Sequence, residues 1–131
     1  MRRLRREHGW TLIELMIVMV IIVILASIGL VQYGHSVTRA KEATLAEDLF
    51  RMRDALDQYY ADKNKYPASL EVLVEEKYLR DVPPDPFTQT TSWDITMSEP
   101  EPGNPSAEPG VYNVHSTAEG TGLNGKPYTE W

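Results

Sequence analysis

The chain has 131 residues, which leaves room for one small domain beside a membrane-length segment. Its formal net charge is −6 at pH 7, and this acidic balance excludes a general nucleic-acid binder, which needs a basic face. It contains no cysteine and three histidines, so disulfides are excluded and a zinc centre is not predicted.

The chain begins with a basic leader and a long uncharged segment. Four arginines lie within residues 1–9, and residues 15–31 contain no charged side chain. As a helix, residues 10–31 would span about 33 Å, which matches the hydrocarbon core of a bilayer. Because the arginines lie on its N-terminal side, we predict that the N-terminus is cytoplasmic.

Three interpretations of the uncharged segment are open. A secretory signal peptide has an apolar core of about 7–15 residues and a small-residue cleavage site. This run is longer, and Ala26-Ser27 is a poor site. A plain membrane anchor fits the length but does not explain Glu14 at the head of the run. Because a carboxylate costs roughly 2.5–3.5 kcal/mol near the bilayer centre, the third interpretation gives Glu14 a functional role.

Beyond the uncharged segment, hydrophobic residues narrow to a stripe with helical spacing. They recur largely at steps of three or four residues from Leu45 onward, and the stripe comprises Val37, Leu45, Leu49, Met52, Leu56, Tyr59 and Tyr60. No proline occurs before Pro67, so we predict one helix over residues 11–62. The opposite face is interpreted as solvated, and it carries Lys41, Glu42, Glu47, Arg51, Arg53 and Asp54. Glu47 and Arg51 have the spacing of a favourable ion pair.

Turn signals follow the long helix. Pro67 ends it, because the residue before a proline is pushed out of the helical region. Ser69 is placed to cap a short helix over residues 70–77. Asp85 and Asp94 are interpreted as turn residues rather than as an acid–base pair.

The C-terminal half predicts short strands. Alternating side chains predict strands over residues 93–97 and 111–115, separated by a proline-rich loop over 98–110. Asn124-Gly125 predicts a turn. Residues 127–131 are predicted to form a short third strand or an extended tail.

The apolar stripe from Leu45 onward must be buried against another element of structure, and this requirement decides the predicted fold class. Two or three short antiparallel strands cover it if their apolar side chains face the helix, namely Trp93, Ile95, Met97 and Val114. We therefore predict an α+β fold with a long N-terminal helix. Its first half is transmembrane, and its second half packs on a small antiparallel sheet of two to three strands.

Residues 9–14 carry the most specific motif of the chain. They read Gly-Trp-Thr-Leu-Ile-Glu and resemble the type IV prepilin signal, which usually reads Gly-Phe-Thr-Leu-Ile-Glu. The resemblance implies a type IV pilin-like fold, with cleavage by a prepilin peptidase after Gly9 and methylation of the new N-terminus at Trp10. It divides the chain into a cleaved leader (1–9), a transmembrane assembly helix (10–31) and a periplasmic domain (32–131).

Cleavage after Gly9 would give Glu14 a partner. It exposes an α-ammonium at Trp10, close to one end of the apolar helix. In a staggered bundle, the ammonium of one subunit could pair with Glu14 of a neighbour, which offsets part of the cost of both charges and selects the register. The alternative is that Glu14 only reaches toward the lipid headgroups.

The resemblance continues through the chain toward the major pseudopilins of type II secretion systems. The similar segments are residues 40–43, 57–60, 62–67, 79–88 and 111–131. Since there is no cysteine, the chain lacks the disulfide-bounded loop common in type IVa major pilins, which favours a pseudopilin. The resemblance implies a structural subunit, without enzymatic activity, of an inner-membrane-assembled pseudopilus that drives export of folded proteins across the outer membrane.

The same resemblance implies partners and a location. The partners are copies of the chain in a helical filament, prepilin peptidase, minor pseudopilins, an inner-membrane platform protein and membrane lipid before assembly, with no nucleic acid. The chain would cross the inner membrane once, with its C-terminal domain in the periplasm. Two alternatives remain open: a type IV pilus subunit for adhesion, twitching or DNA uptake, and a membrane-tethered binding module that uses the sheet and the 98–110 loop.

The resemblance also implies a candidate calcium site, and no other cofactor is predicted. Major pseudopilins often bind calcium in the loop after the last strand, where this chain offers Ser116, Glu119 and Asn124. Calcium takes six to eight oxygen ligands, commonly including several carboxylates. The alternative is a glycine-rich turn held by backbone hydrogen bonds.

Overall fold

The computed structural model describes residues 9, 11–99 and 108–131 of the chain. Residues 1–8, Trp10 and residues 100–107 of the predicted loop lie outside this part. The chain divides into two units, of which the first ends at Thr38 and the second comprises Arg39–Trp131. The described elements are helix α1 (Leu12–Lys63), helix α2 (Leu70–Glu75), strand β1 (Asp94–Met97), strand β2 (Val111–His115) and a 3-10 helix (Tyr128–Glu130).

Helix α1 confirms the predicted long helix to within one residue at each end. It stops at Asn64, which has a left-handed φ of 55° and donates its N–H to the Tyr60 carbonyl oxygen at 2.8 Å. Such a residue closes a helix by satisfying one of its last carbonyl groups. The predicted pair on the exposed face also forms, with Arg51 Nε 2.9 Å from Glu47 Oε1.

In the first unit, α1 leaves its apolar side chains uncovered. Leu12 is 78% exposed and Leu15 59%, and the other large hydrophobic residues up to Val31 are exposed as well. By length and composition, α1 is the one helix in the described part of the chain that could cross a membrane. A surface of this kind requires lipid or other apolar helices around it.

From Leu45 onward, the predicted stripe forms the core of the second unit, whereas Val37 is 37% exposed. Leu45, Met52 and Leu56 are fully buried, and Leu49 and Tyr59 are nearly so. They form one cluster with the buried residues Leu70, Leu73, Trp93, Val111, Val114, Ala118 and Tyr128. The spacing of apolar residues therefore identified the helical half of this core.

Two residues of the face interpreted as solvated are not solvated. Glu42 is only 8% exposed, and the side chain of Arg53 makes partly buried hydrogen bonds. Both side chains bind residues at least 60 positions further along the chain. The interpretation was wrong for these two residues because a charged group is tolerated in a core when other groups hydrogen-bond to it.

The sheet has two strands, the lower number predicted. β1 and β2 pair antiparallel with Ile95 opposite Val114, and the register shifts between Thr96 and Met97. Trp93 and Val114 are buried as expected, whereas Ile95 and Met97 are 43% and 44% exposed. The expectation that these two cover the helix was wrong, because β2 supplies buried residues of the core while all four residues of β1 are exposed.

The predicted third strand is replaced by a bridge and a turn in the described residues. Thr121 and Pro127 form one isolated bridge, and the chain then enters the 3-10 helix. Proline cannot donate to a strand ladder, and Gly120 has a φ of +111° that breaks an extended run. The turn at Asn124-Gly125 is confirmed, with the Gly125 N–H donating to the Gly122 carbonyl oxygen at 2.9 Å.

Helix α2 begins as predicted but ends two residues early. Lys77 has a positive φ of 63°, so it cannot continue the helix. Ser69 occupies the N-cap position, yet its side chain makes no capping bond. The Ser69 hydroxyl hydrogen-bonds to the Glu71 carboxylate instead and lowers the pKa of that carboxyl.

Candidate functional site

Glu14 lies in the first turn of α1, where its carboxylate closes a reciprocal cap with Thr11. Glu14 Oε2 accepts the Thr11 N–H at 2.8 Å and the Thr11 hydroxyl at 3.0 Å. In return, Thr11 Oγ1 accepts the Glu14 N–H at 3.3 Å. This arrangement is a capping box, which satisfies backbone donors that the start of a helix leaves open.

Sequence reasoning missed the contribution of Thr11. The signal was present, because a threonine followed three residues later by a glutamate before an apolar run is the pattern of a capping box. The charge of Glu14 by itself predicts only a paired partner or a reach toward the lipid headgroups. The structure adds that this carboxylate already stabilises the helix start within a single chain, where the helix dipole favours a negative charge.

The geometry of the cap leaves part of the carboxylate available. Among the described residues, both hydrogen bonds from Thr11 fall on Oε2, so Oε1 can accept a donor from another molecule. The neighbouring side chains of Leu12, Ile13 and Leu15 are exposed and apolar. Where lipid or other apolar helices surround this surface, a charge-assisted bond to Glu14 is stronger than the same bond in water.

Gly9 lies in non-helical backbone just before the cap. It is exposed, and a side chain added at its Cα would meet no atom within 4 Å. An accessible backbone outside a helix is what a protease requires. Cleavage after Gly9 and methylation at Trp10 stay predictions, since Trp10 lies outside the described residues.

The three residues considered for calcium have different surroundings. Ser116 is buried; its hydroxyl donates to Asp85 Oδ2 and accepts the Ala118 N–H at 3.0 Å. Asn124 Oδ1 accepts the Lys126 N–H at 3.0 Å, and Glu119 is exposed. No hydrogen bond described in this part of the chain joins the three side chains.

This set does not fit calcium as it stands. It offers one carboxylate, and two of its four side-chain oxygens already serve hydrogen bonds within the protein. In the described part of the chain, no group of three or more histidine, aspartate or glutamate residues could hold a metal ion. Backbone bonds that span Gly122–Lys126 and Gly120–Tyr128 match the alternative of a glycine-rich turn.

Comparison with known proteins identifies relatives of the chain. A family model described as the prokaryotic N-terminal methylation motif matches residues 4–30. The type II secretion system core protein G of Aeromonas hydrophila is 31% identical, and the alignment covers 63% of this chain and 69% of that protein. The core protein G of Escherichia coli is 32% identical, with 66% of this chain and 71% of that protein covered. The Pseudomonas aeruginosa protein of the same name is 33% identical, with 63% and 70% covered. No solved structure matches the chain.

Proposed function

This chain belongs to the type II secretion system core protein G family, and from that premise we propose that it is the structural subunit of a pseudopilus. The pseudopilus assembles from the inner membrane and drives export of folded proteins across the outer membrane. In this role the chain contributes contacts between copies and carries no catalysis of its own. The methylation motif over residues 4–30 supports processing by a prepilin peptidase before assembly.

The observation that carries the proposal is the uncovered apolar surface of α1 with one carboxylate at its start. Lipid tails and leucine side chains are equally apolar, so the hydrophobic effect alone does not draw such helices together in a membrane. A specific polar contact supplies the missing attraction and selects one stagger. The bonds at Glu14 support its role in that contact, because both bonds from Thr11 fall on Oε2 and leave Oε1 to accept another donor.

We place the α-ammonium of Trp10 from a neighbouring subunit at this carboxylate. Cleavage after Gly9 creates the ammonium one residue before Thr11, so each subunit carries both halves of the contact. Because the pairing joins two different groups on successive copies, it repeats from copy to copy and builds an open helical filament when the rotation between copies does not close into a ring. The alternative, that Glu14 only reaches for lipid headgroups, predicts no filament dependence on its charge.

The same reading gives the protein its location and partners. The four arginines of the leader favour a cytoplasmic N-terminus before processing, with residues 32–131 in the periplasm. The partners are prepilin peptidase, an inner-membrane platform protein, minor pseudopilins and lipid before assembly. Nucleic acid is not among them, since the acidic balance of the chain repels phosphate backbones.

Deletion of the gene tests the function. We expect exoproteins to accumulate in the periplasm, with secretion restored by the wild-type chain supplied in trans. A type IV pilus subunit would instead cause loss of surface filaments and motility with secretion intact. A tethered binding module is tested with the purified protein instead: it would stay a dispersed monomer in detergent, and its behaviour would not depend on Gly9. Either of these results contradicts the proposal.

Processing gives a second, independent prediction. Mass spectrometry of the protein purified from native membranes is expected to find an N-terminus at methylated Trp10. A Gly9→Val variant is expected to retain Met1, because a branched side chain obstructs the backbone at the cleaved bond. Wild-type protein that still begins at Met1 would contradict processing at this site.

A further inference from the structure

The segment that follows β2, residues 116–131, has little regular structure of its own. Its described backbone contacts are one bridge, one tight turn and one turn of 3-10 helix. Three charged side chains from elsewhere in the second unit hold its beginning, its middle and its end. We call this segment the C-terminal segment.

Glu42 of α1 holds the middle of the C-terminal segment. Its Oε1 accepts the Leu123 N–H at 2.8 Å and the Tyr128 hydroxyl at 2.9 Å. Burial, and then this bond to Glu42, raises the pKa of the Tyr128 phenol, so the phenol remains a proton donor at neutral pH. A buried carboxylate is costly unless donors surround it, and here both donors come from the C-terminal segment.

Arg53, three turns further along α1, joins β2 to the end of the C-terminal segment. Its Nε donates to Asn113 Oδ1 at 2.9 Å, and its Nη2 donates to the Val114 carbonyl oxygen at 2.8 Å. The same Nη2 donates to the Trp131 carbonyl oxygen at 2.7 Å. The planar guanidinium suits this task because it presents several donors in fixed directions.

Asp85 holds the beginning of the C-terminal segment. Its carboxylate is fully buried; Oδ2 accepts the Ser116 hydroxyl, and Oδ1 accepts the Phe87 N–H at 2.8 Å and the Thr88 N–H at 3.3 Å. The loop that contains Asp85 also contacts the middle of the segment, since the rings of Phe87 and Tyr128 stack with centroids 4.3 Å apart.

We propose that Glu42, Arg53 and Asp85 together take the place of a divalent cation, so that the fold and assembly of this chain do not require calcium. A bound cation would cross-link the C-terminal segment through acceptor oxygens. Here the two buried carboxylates are surrounded by N–H and O–H donors, whose hydrogens repel a cation, and Arg53 supplies a fixed positive charge. The inference goes beyond the proposed function, which requires no statement about metals.

Thermal unfolding of the full-length chain in detergent micelles tests the proposal. Trp93 and Trp131 lie in the second unit and report its unfolding by fluorescence. We expect midpoints in calcium chloride and in EGTA that agree within about 1 °C. A calcium site filled at a hundredfold excess over its Kd would separate them by roughly 10–20 °C. A midpoint more than about 3 °C lower in EGTA would overturn the proposal.

Variants of the three charged residues that hold the C-terminal segment, Glu42, Arg53 and Asp85, which we call the anchors, make the test specific. Glu42→Ala leaves one buried donor, the Tyr128 hydroxyl, and one partly buried donor, the Leu123 N–H, unpaired. We expect it to lower the midpoint by roughly 10 °C, equally in calcium and in EGTA. The matched control is Glu47→Ala, an exposed glutamate on the same helix, which is expected to change little. Rescue of Glu42→Ala by calcium, or a midpoint equal to that of Glu47→Ala, would overturn the anchoring role. If Glu42→Ala does not fold, Tyr128→Phe removes one of the two bonds and is expected to give a smaller, calcium-independent loss.

An assembly assay separates this inference from the proposed function. We expect filaments to form equally in cells grown with and without calcium. Filaments that require calcium would overturn the inference and leave the proposed function standing. Absence of filaments in both media would contradict the proposed function, while the unfolding experiments would still decide the role of the anchors.

Discussion

Glu14→Ala is expected to abolish filament assembly while Arg39–Trp131 keeps its fold. The substitution removes the carboxylate that binds Thr11 and that we pair with the Trp10 ammonium of a neighbour. Loss of a helix cap alone costs about 0.5–2 kcal/mol. Two unit charges about 4 Å apart attract by about 4 kcal/mol at an effective dielectric constant near 20. Electron microscopy of cells that overproduce the chain measures assembly, and thermal unfolding measures the fold.

Glu14→Gln separates the two roles of this side chain. Glutamine also completes a capping box, so the helix start is expected to stay intact. It carries no charge, so the pair with the ammonium is lost, and assembly is expected to fail as it does for alanine. Thr11→Ser is the matched control. Serine keeps the hydroxyl that completes the cap, and Glu14 keeps its charge in this variant, so filaments are expected to form. Filaments from Glu14→Gln at the wild-type level would contradict the pairing and leave the cap as the role of Glu14.

The second large effect is expected at Asp85, where alanine should destabilise the second unit by about 3 kcal/mol or more. Three donors lose their acceptor at once: the N–H groups of Phe87 and Thr88 and the hydroxyl of Ser116. Each buried group left without a partner costs about 1–3 kcal/mol. Two backbone bonds of the turn remain, between Asp85 N–H and the Thr90 carbonyl oxygen and between Gln89 N–H and the Asp85 carbonyl oxygen.

Denaturant unfolding of Asp85→Ala and of Asp81→Ala provides the measurement. Asp81 is exposed and precedes the same loop, so its removal is expected to change the free energy of unfolding by less than about 0.5 kcal/mol. The free energy of unfolding of Asp85→Asn is expected to lie between those of the two alanine variants, because the amide oxygen of asparagine still accepts a hydrogen bond while its amide nitrogen cannot. Equal stabilities for the two alanine variants would show that the buried carboxylate does not hold the loop to Ser116.

Elements with a periodic pattern were predictable from neighbouring residues alone. Helix α1 follows from the stripe that begins at Leu45 and from the absence of proline before Pro67. Strand β2 follows from its alternating side chains, and its observed bounds, Val111–His115, agree with the prediction. The motif over residues 9–14 identified Glu14. Its bonds to Thr11 belong to a separate pattern, the capping box, in which a threonine precedes a glutamate by three residues.

Other features depend on how distant parts of the chain meet. The expectation for Ile95 and Met97 was wrong because alternation shows that a strand has two faces, but not whether a neighbouring strand supplies the core. The prediction of a third strand or an extended tail was wrong. After Pro127 the chain forms a 3-10 helix, in which the Tyr128 hydroxyl bonds to Glu42, and it does not extend as a strand.

Sequence alone determined the apolar helix, its acidic start, the family motif and the helical half of the core. Each of these depends on residues at most a few helical turns apart in the chain, so periodicity and spacing are enough to predict it. Only the tertiary structure revealed the anchors, since Glu42 meets Tyr128 across 86 positions, Arg53 meets Trp131 across 78 and Asp85 meets Ser116 across 31. A charged residue on a helix looks solvated until the chain brings a donor or an acceptor to it, and that approach is decided by packing of the whole unit rather than by local pattern.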